Sequence, residues 1–154
     1  MQTINKNSEK LAGVVDLYAI PCSNVKKIEN KQIFCSDINE IYQFICASES
    51  IAHNYTSENK ESGQLFVNKV TAYMPGLDIN IDKLFNKLKQ YKFVVVIRNQ
   101  DSQYIMIGDN QIGLVFEWNY VNTSNWSGSV GYELKFETNA SSPHKLVNLP
   151  FVIV

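Results

Sequence analysis

Lys92-Phe93-Val94-Val95-Val96-Ile97-Arg98 places five apolar residues, four of them β-branched, between two cations. So short and dense a run has the length of a strand and leaves neither face polar, so it predicts a strand central in a sheet and covered on both sides. The flanking sequence sets its neighbours. Upstream, Ile81, Leu84, Phe85 and Leu88 recur at helical spacing over residues 79–90, with Asp78 placed to cap the first turn and Lys83, Asn86, Lys87 and Lys89 mostly on the polar side. It is the one segment that reads convincingly as a helix. Met74-Pro75-Gly76 separates it from an alternating stretch at 64–73, running through Leu65, Val67, Val70 and Ala72 with an expected slip. Residues 50–57 also alternate, and the charged turn at 58–63 predicts that the two stretches form a β-hairpin. Downstream, Asn99-Gln100-Asp101-Ser102 turns the chain into Tyr104-Ile105-Met106-Ile107-Gly108, a second hairpin. Residues 113–121 and 129–138 supply two more alternating strands, joined by a polar loop that carries Trp126.

Towards the N-terminus, residues 11–20 read as a strand ending at Pro21, residues 32–35 as a short strand, and residues 41–46 as a nearly continuous apolar strand. The sum is a mainly β protein with one α-helix, an antiparallel β-sandwich or half-closed barrel flanked by that helix. The expected organisation is a flexible N-terminal arm over residues 1–10 and a single β-rich domain over 11–154. Pro150-Phe151-Val152-Ile153-Val154 is apolar enough to be a liability in free solution, so either it docks as a late strand or another chain accepts it.

Composition narrows the function classes. A chain of 154 residues with 45% hydrophobic and 19% charged residues suits one globular domain. A net charge of -1 and a single arginine, Arg98, offer no general attraction for nucleic acid or an anionic membrane. Residues 1–10 lack the basic-then-apolar order of a signal peptide, and no window holds the roughly 18 apolar residues of a membrane helix. A soluble protein made in the cytoplasm is expected. Cys22, Cys35 and Cys46 are odd in number and form no C-x-x-C pair, which predicts reduced thiols rather than disulfides or zinc ligation.

The chemistry-bearing residues do not assemble into a motif. His53 and His144 are the only histidines, and neither has a catalytic partner at a telling spacing; a Cys46–His53 dyad would need an oxyanion hole that nothing announces. Residues 108–113 match a phosphate loop only in glycine spacing, lacking the following Lys-Ser/Thr. Asp101 and Asp109 lack calcium-loop spacing. No catalytic residue, metal or cofactor is therefore predicted. The residues that read as interface or ligand contacts are Trp126 in its small polar loop, Tyr120 beside it, and Phe151, Val152 and Ile153 of the apolar tail.

The block Gly63-Gln64-Leu65-Phe66-Val67-Asn68-Lys69-Val70-Thr71-Ala72-Tyr73-Met74-Pro75-Gly76 resembles virion proteins of phages and prophages of gut Bacteroides and their relatives. The resemblance extends through the helix, Phe93-Val94-Val95-Val96-Ile97, Tyr104-Ile105-Met106-Ile107-Gly108 and Gly131-Tyr132-Glu133-Leu134-Lys135-Phe136, over about residues 11–143 as a pattern of elements. It implies a non-enzymatic virion structural protein, a tail or neck subunit that self-associates into a ring or tube with other virion proteins. The alternative is a monomeric β-sandwich that binds a glycan or peptide through Trp126, Tyr120 and Asn-rich loops.

Overall fold

The computed structural model describes residues 1–4, 14–47, 50–76, 78–98, 103–122, 130–140, 145–147 and 151–153. Its decisive element is β8 (Lys92–Arg98), in which Phe93 to Ile97 are all buried. One edge of β8 pairs antiparallel with β2 (Val14–Pro21). The other edge is shared end to end by β9 (Tyr104–Ile107) and β10 (Leu114–Asn122). Ile107 pairs with Val95 and Leu114 with Phe93, so the chain between them makes a short excursion and rejoins the same edge. The excursion is closed by the Asp109 N–H donating to the Ile112 carbonyl at 3.1 Å. The Asp109 carboxylate also accepts from the Gln111 and Ile112 N–H groups at 2.8 and 2.7 Å, an Asx turn that explains the aspartate there.

β8 therefore joins the two halves of a large sheet. On one side follow β2, β5 (Tyr42–Ala47) and β1 (Gln2–Ile4); on the other follow β10, β11 (Val130–Ala140), β7 (Gly63–Pro75) and β6 (Ala52–Lys60). β12 (Lys145–Val147) pairs with β9. The two halves share one core with α1 (Ile79–Leu88), the one α-helix among the described residues. Phe44 of β5 lies 6.1 and 6.0 Å from Phe116 and Phe136 of the other half, and Phe85 of the helix lies 5.9 Å from Phe44 and 5.4 Å from Phe116. Edge-on and tilted ring pairs of this kind add to the burial of their area.

The opposite face of β8 is covered too. β3 (Val25–Glu29), β4 (Gln32–Cys35) and β13 (Val152–Ile153) form a small second sheet, and Val25, Ile33 and Cys35 pack with Ile20, Val94, Val96 and Met106. Phe93, Val95 and Ile97 face the main core and Val94 and Val96 the second, which is why the run has no polar position. The protein is mainly β with a β-sandwich-like build, as the sequence predicts.

Five details correct that reading. The sheet is mixed, since β1 runs parallel to β5 and β13 parallel to β4. Residues 2–4 of the expected flexible arm are a strand with Ile4 buried, because the β5 edge supplies the backbone partners that so short a strand cannot find alone; residues 5–10 lie outside the described residues. Pro21 belongs to β2, at its last position, where a missing N–H is tolerated. Both β7 ladders run without a slip, so the core-facing series is Asn68, Val70, Ala72 and Met74, while Leu65 and Val67 face the other way. The 58–63 turn is tighter than expected: Lys60 pairs with Gly63, leaving Glu61 and Ser62 as the only loop residues.

Candidate functional site

The thiols are dispersed and protected. Cys46 is fully buried on β5, and burial, aided by the negative charge of Asp16, pushes its pKa up to about 12. Burial alone raises Cys35 to about 11. Half-buried Cys22 donates weakly to the Asp109 carbonyl at 3.4 Å, and burial and Asp109 raise its pKa as well. A thiol whose pKa is raised carries little thiolate near neutral pH, so none of the three has the character of a nucleophile. His53 on β6 pairs with Val70 and reaches diagonally, placing Nε2 3.2 Å from Oδ1 of Asn68, a buried amide in β7's core-side row. That contact gives Asn68 a partner in an otherwise apolar row. His144 lies outside the described residues. Among the described residues no group of three or more His, Cys, Asp or Glu side chains is placed to hold a metal ion.

The most polar cluster anchors the helix. The Asp78 carboxylate accepts the Asn80 N–H at 2.8 Å, as the capping prediction requires. Tyr132 of β11 is fully buried, and its hydroxyl contacts the Asp82 carboxylate and lies 3.1 Å from the Asp78 carbonyl. The Asp78 N–H donates back to the same hydroxyl at 3.3 Å. Burial and the bond to Asp82 raise the Tyr132 pKa to about 12. This is a structural anchor: one Tyr132 hydroxyl ties Asp78 at the cap and Asp82 in the first turn of α1 to β11.

The outward face of β10, β11 and β7 carries two adjoining grooves of about 410 and 480 Å³, both lined by Glu117 and Lys135. Lys135 bridges Glu117 at 2.8 Å and Glu137 at 3.7 Å. That pairing lowers the Glu117 pKa and raises that of Lys135. Glu133, Asn119, Thr71 and Lys69 line the first groove, with Tyr73 as its aromatic wall. Sequence reasoning missed these residues, since alternating polar positions on a strand announce only a solvated face until the register groups them.

The expected contact residues are scattered. Tyr120 is 47% exposed near the end of β10, its ring 6.5 Å from Tyr132. Trp126 lies outside the described residues, between Asn122 and Val130, which pair to bring the ends of its loop together. Of the tail, Val152 pairs with Phe34 and Ile153 with Cys35 of the same chain, leaving Ile153 44% exposed. Phe151 sets its ring 5.4 Å from Tyr18 in an edge contact. Tyr120 and the tail residues belong to different sheets and form no common site.

The hairpin of β6 and β7 is the remaining candidate. Residues 56–64 are all exposed, and the β11 ladder accompanies β7 only as far as Phe66. Beyond that point the hairpin has no β11 partner among the described residues. On its core-side face the Tyr55 and Phe66 rings stack at 5.5 Å and 10°. No helix among the described residues is long and apolar enough to cross a membrane. Comparison with protein-family models, curated proteins and solved structures finds no match for this chain.

Proposed function

We propose that this protein is a non-enzymatic structural subunit of a phage virion, a tail or neck component that self-associates into a ring or tube. The virion assignment rests on the resemblance read from the sequence. The observation that carries self-association is the open sheet: its strand order runs from β1 to β6 without returning, and its β6 end is a nine-residue strand paired on one side among the described residues. A sheet end of that length presents a row of backbone donors and acceptors for another strand. Repeated contacts between subunits would satisfy it, closing a ring or continuing as a tube according to the rotation between copies. Negative-stain electron microscopy over a concentration series tests the reading. Rings or tubes of uniform diameter are expected; particles that stay monomeric at the highest concentration, with and without lysate of infected host cells, would overturn it.

A binding module is the second reading, favoured by exposed Tyr120 near the end of β10, a few residues before Trp126 in the sequence. Trp126→Ala separates the two. Loss of binding on a glycan or peptide array with the association state intact supports the module, whereas an unchanged array profile opposes it.

A further inference from the structure

Tyr73 lies across the sheet instead of standing on it. An ideal Cβ on Gly131 of β11 would fall 2.7 Å from the Tyr73 hydroxyl and 2.8 Å from its Cζ, so the ring of this β7 residue reaches over the neighbouring strand and rests where glycine leaves no side chain. Glycine inside a strand weakens it and often marks a close approach of this kind. One face of the ring is thereby turned to the sheet and the other to the groove of about 410 Å³ that Tyr73 helps to line. The strand registers group the rest. Asn119, Glu133 and Tyr73 stand in one row across β10, β11 and β7, and Glu117 and Lys135 stand in the next. Neighbouring positions are about 4.8 Å apart along a row and about 6.8 Å apart between rows. Lys135 is held by Glu117 and Glu137. The side chains of Lys69, Asn119 and Glu133 enter no hydrogen bond or ion pair among the described residues.

We infer that this groove binds a neutral saccharide, one ring of which stacks on the groove-side face of Tyr73 while Asn119 and Glu133 hydrogen-bond its hydroxyls. The inference goes beyond the assembly role proposed above and does not depend on it, because a single chain carries the whole groove. Charge selects against ions. The groove holds two lysines, Lys69 and Lys135, and two glutamates, Glu117 and Glu133, so a ligand of either sign meets repulsion beside every attraction. A sugar hydroxyl both donates and accepts, which suits a mixed lining: the Glu133 carboxylate accepts, Lys69 donates, and the Asn119 amide does both. The ring meets the other requirement, since the C–H face of a pyranose is apolar and packs on an aromatic face with its hydroxyls left at the rim. The floor disfavours a peptide strand. Strand addition needs a sheet edge, and the backbone of β11 is already paired on both sides, by β10 and by β7, leaving side chains to recognise the ligand. In size the groove falls within the roughly 300–1,000 Å³ usual for small-molecule sites.

Titration of isotope-labelled protein, followed by NMR, tests the site, because amide shifts locate binding as well as detect it. The probes are neutral cellohexaose, maltohexaose, mannohexaose and chitohexaose, with anionic hexagalacturonate beside them. Saturable shifts centred on Tyr73, Asn119 and Glu133 are expected with at least one neutral sugar at millimolar concentration, and weaker or no shifts with hexagalacturonate. Asn119→Ala and Glu133→Gln change exposed positions, and each should weaken that binding about ten-fold through the lost hydrogen bond. Tyr73→Phe keeps the ring and should bind as wild type. Tyr73→Ala should not bind, and the two surface variants carry the test if it fails to fold. Failure of every neutral hexasaccharide to bind at millimolar concentration would overturn the inference. So would tighter binding of hexagalacturonate, or an affinity unchanged in both surface variants. Shifts centred on Tyr120 instead would overturn it in favour of the binding module's own contacts.

Discussion

Asn24 is 1% exposed, and its side-chain amide is fully engaged. Its Nδ2 donates to the Asp37 and Glu40 carbonyls at 2.8 and 3.4 Å, while Oδ1 accepts the Ser36 and Asp37 N–H groups at 3.1 and 2.8 Å and the Ser36 hydroxyl at 2.9 Å. One side chain thus ties the start of β3 to the connection between β4 and β5. Asn24→Ala strands several buried backbone groups, so a loss of about 2–3 kcal/mol is expected. Urea unfolding checks it, with a lower midpoint and an unchanged slope as the expected pattern. Gly131 is constrained by space instead. A Cβ there would fall 2.5 Å from the Met74 carbonyl oxygen and 2.7 Å from the Tyr73 hydroxyl. Because the first of these atoms is backbone, Gly131→Ala should destabilise by about 1–3 kcal/mol, and trimming Tyr73 in the same chain should recover only part of it. The Tyr73 hydroxyl itself is buried with no hydrogen-bond partner among the described residues. Tyr73→Phe should accordingly leave the urea midpoint unchanged or raise it, since it removes an unpaired polar atom and keeps the ring.

The turn between β3 and β4 shows why that hairpin escapes a reading of the sequence. Asn30 and Lys31 both have left-handed backbone, with φ of 52° and 61°, in a two-residue loop whose preferred residues are Asn-Gly. Lysine is strained at the second position. Lys31→Gly should relieve that strain, partly offset by the greater freedom of glycine in the unfolded chain, for a net gain of about 0.5 kcal/mol. Differential scanning calorimetry should show a rise in Tm of about 1–2 °C; a fall would mean that the lysine side chain contributes more than its backbone costs. Without the glycine, and with Lys26 and Lys27 beside Ile28, the sequence reads as a basic cluster and not as a strand. β1 is hidden for a related reason, because its single buried residue, Ile4, gains its place only from long-range pairing with β5. By contrast β8, the helix with its Asp78 cap and the β6–β7 hairpin carry their signals locally, in β-branched density, helical spacing and alternation around a turn. Asn68 carries none: an amide in a core row is indistinguishable from a solvated one until His53 is seen beside it. The same limit applies to the candidate contacts. Tyr120 is legible as an aromatic near a polar loop, whereas the place of β6 at one end of the strand order depends on long-range pairing, which alternation does not encode.

At the scale of the molecule, one aromatic core couples the two halves of the sheet to the helix, so groups buried in separate elements should respond to pH through one unfolding equilibrium. Six thiols and phenols hold their protons more tightly in the fold than free in water, four of them by a wide margin. Burial raises Cys46 to about 12 and Cys35 to about 11 from an ordinary 9.0. Tyr132 and Tyr18 rise to about 12 from 10.0, chiefly by burial, with help from the bond to Asp82 in one case and the charge of Asp16 in the other. In the unfolded chain the cysteines release their protons near pH 9 and the tyrosines near 10, while the folded chain retains them. Over that interval the unfolded state binds fewer protons, and stability must fall as pH rises. The contribution is fully present below pH 9, declines first through the thiols, steepens above 10 as the tyrosines join, and is exhausted as pH passes the folded values near 12. Urea midpoints measured at pH 8, 9.5 and 11 should therefore decrease in that order. Cys46→Ala should start below wild type at pH 8, because it leaves a cavity in the core. It should then lose less between pH 8 and 11, because one of these tightly held protons is gone. A wild-type midpoint that holds constant to pH 11 would mean that these groups are not buried as the fold requires.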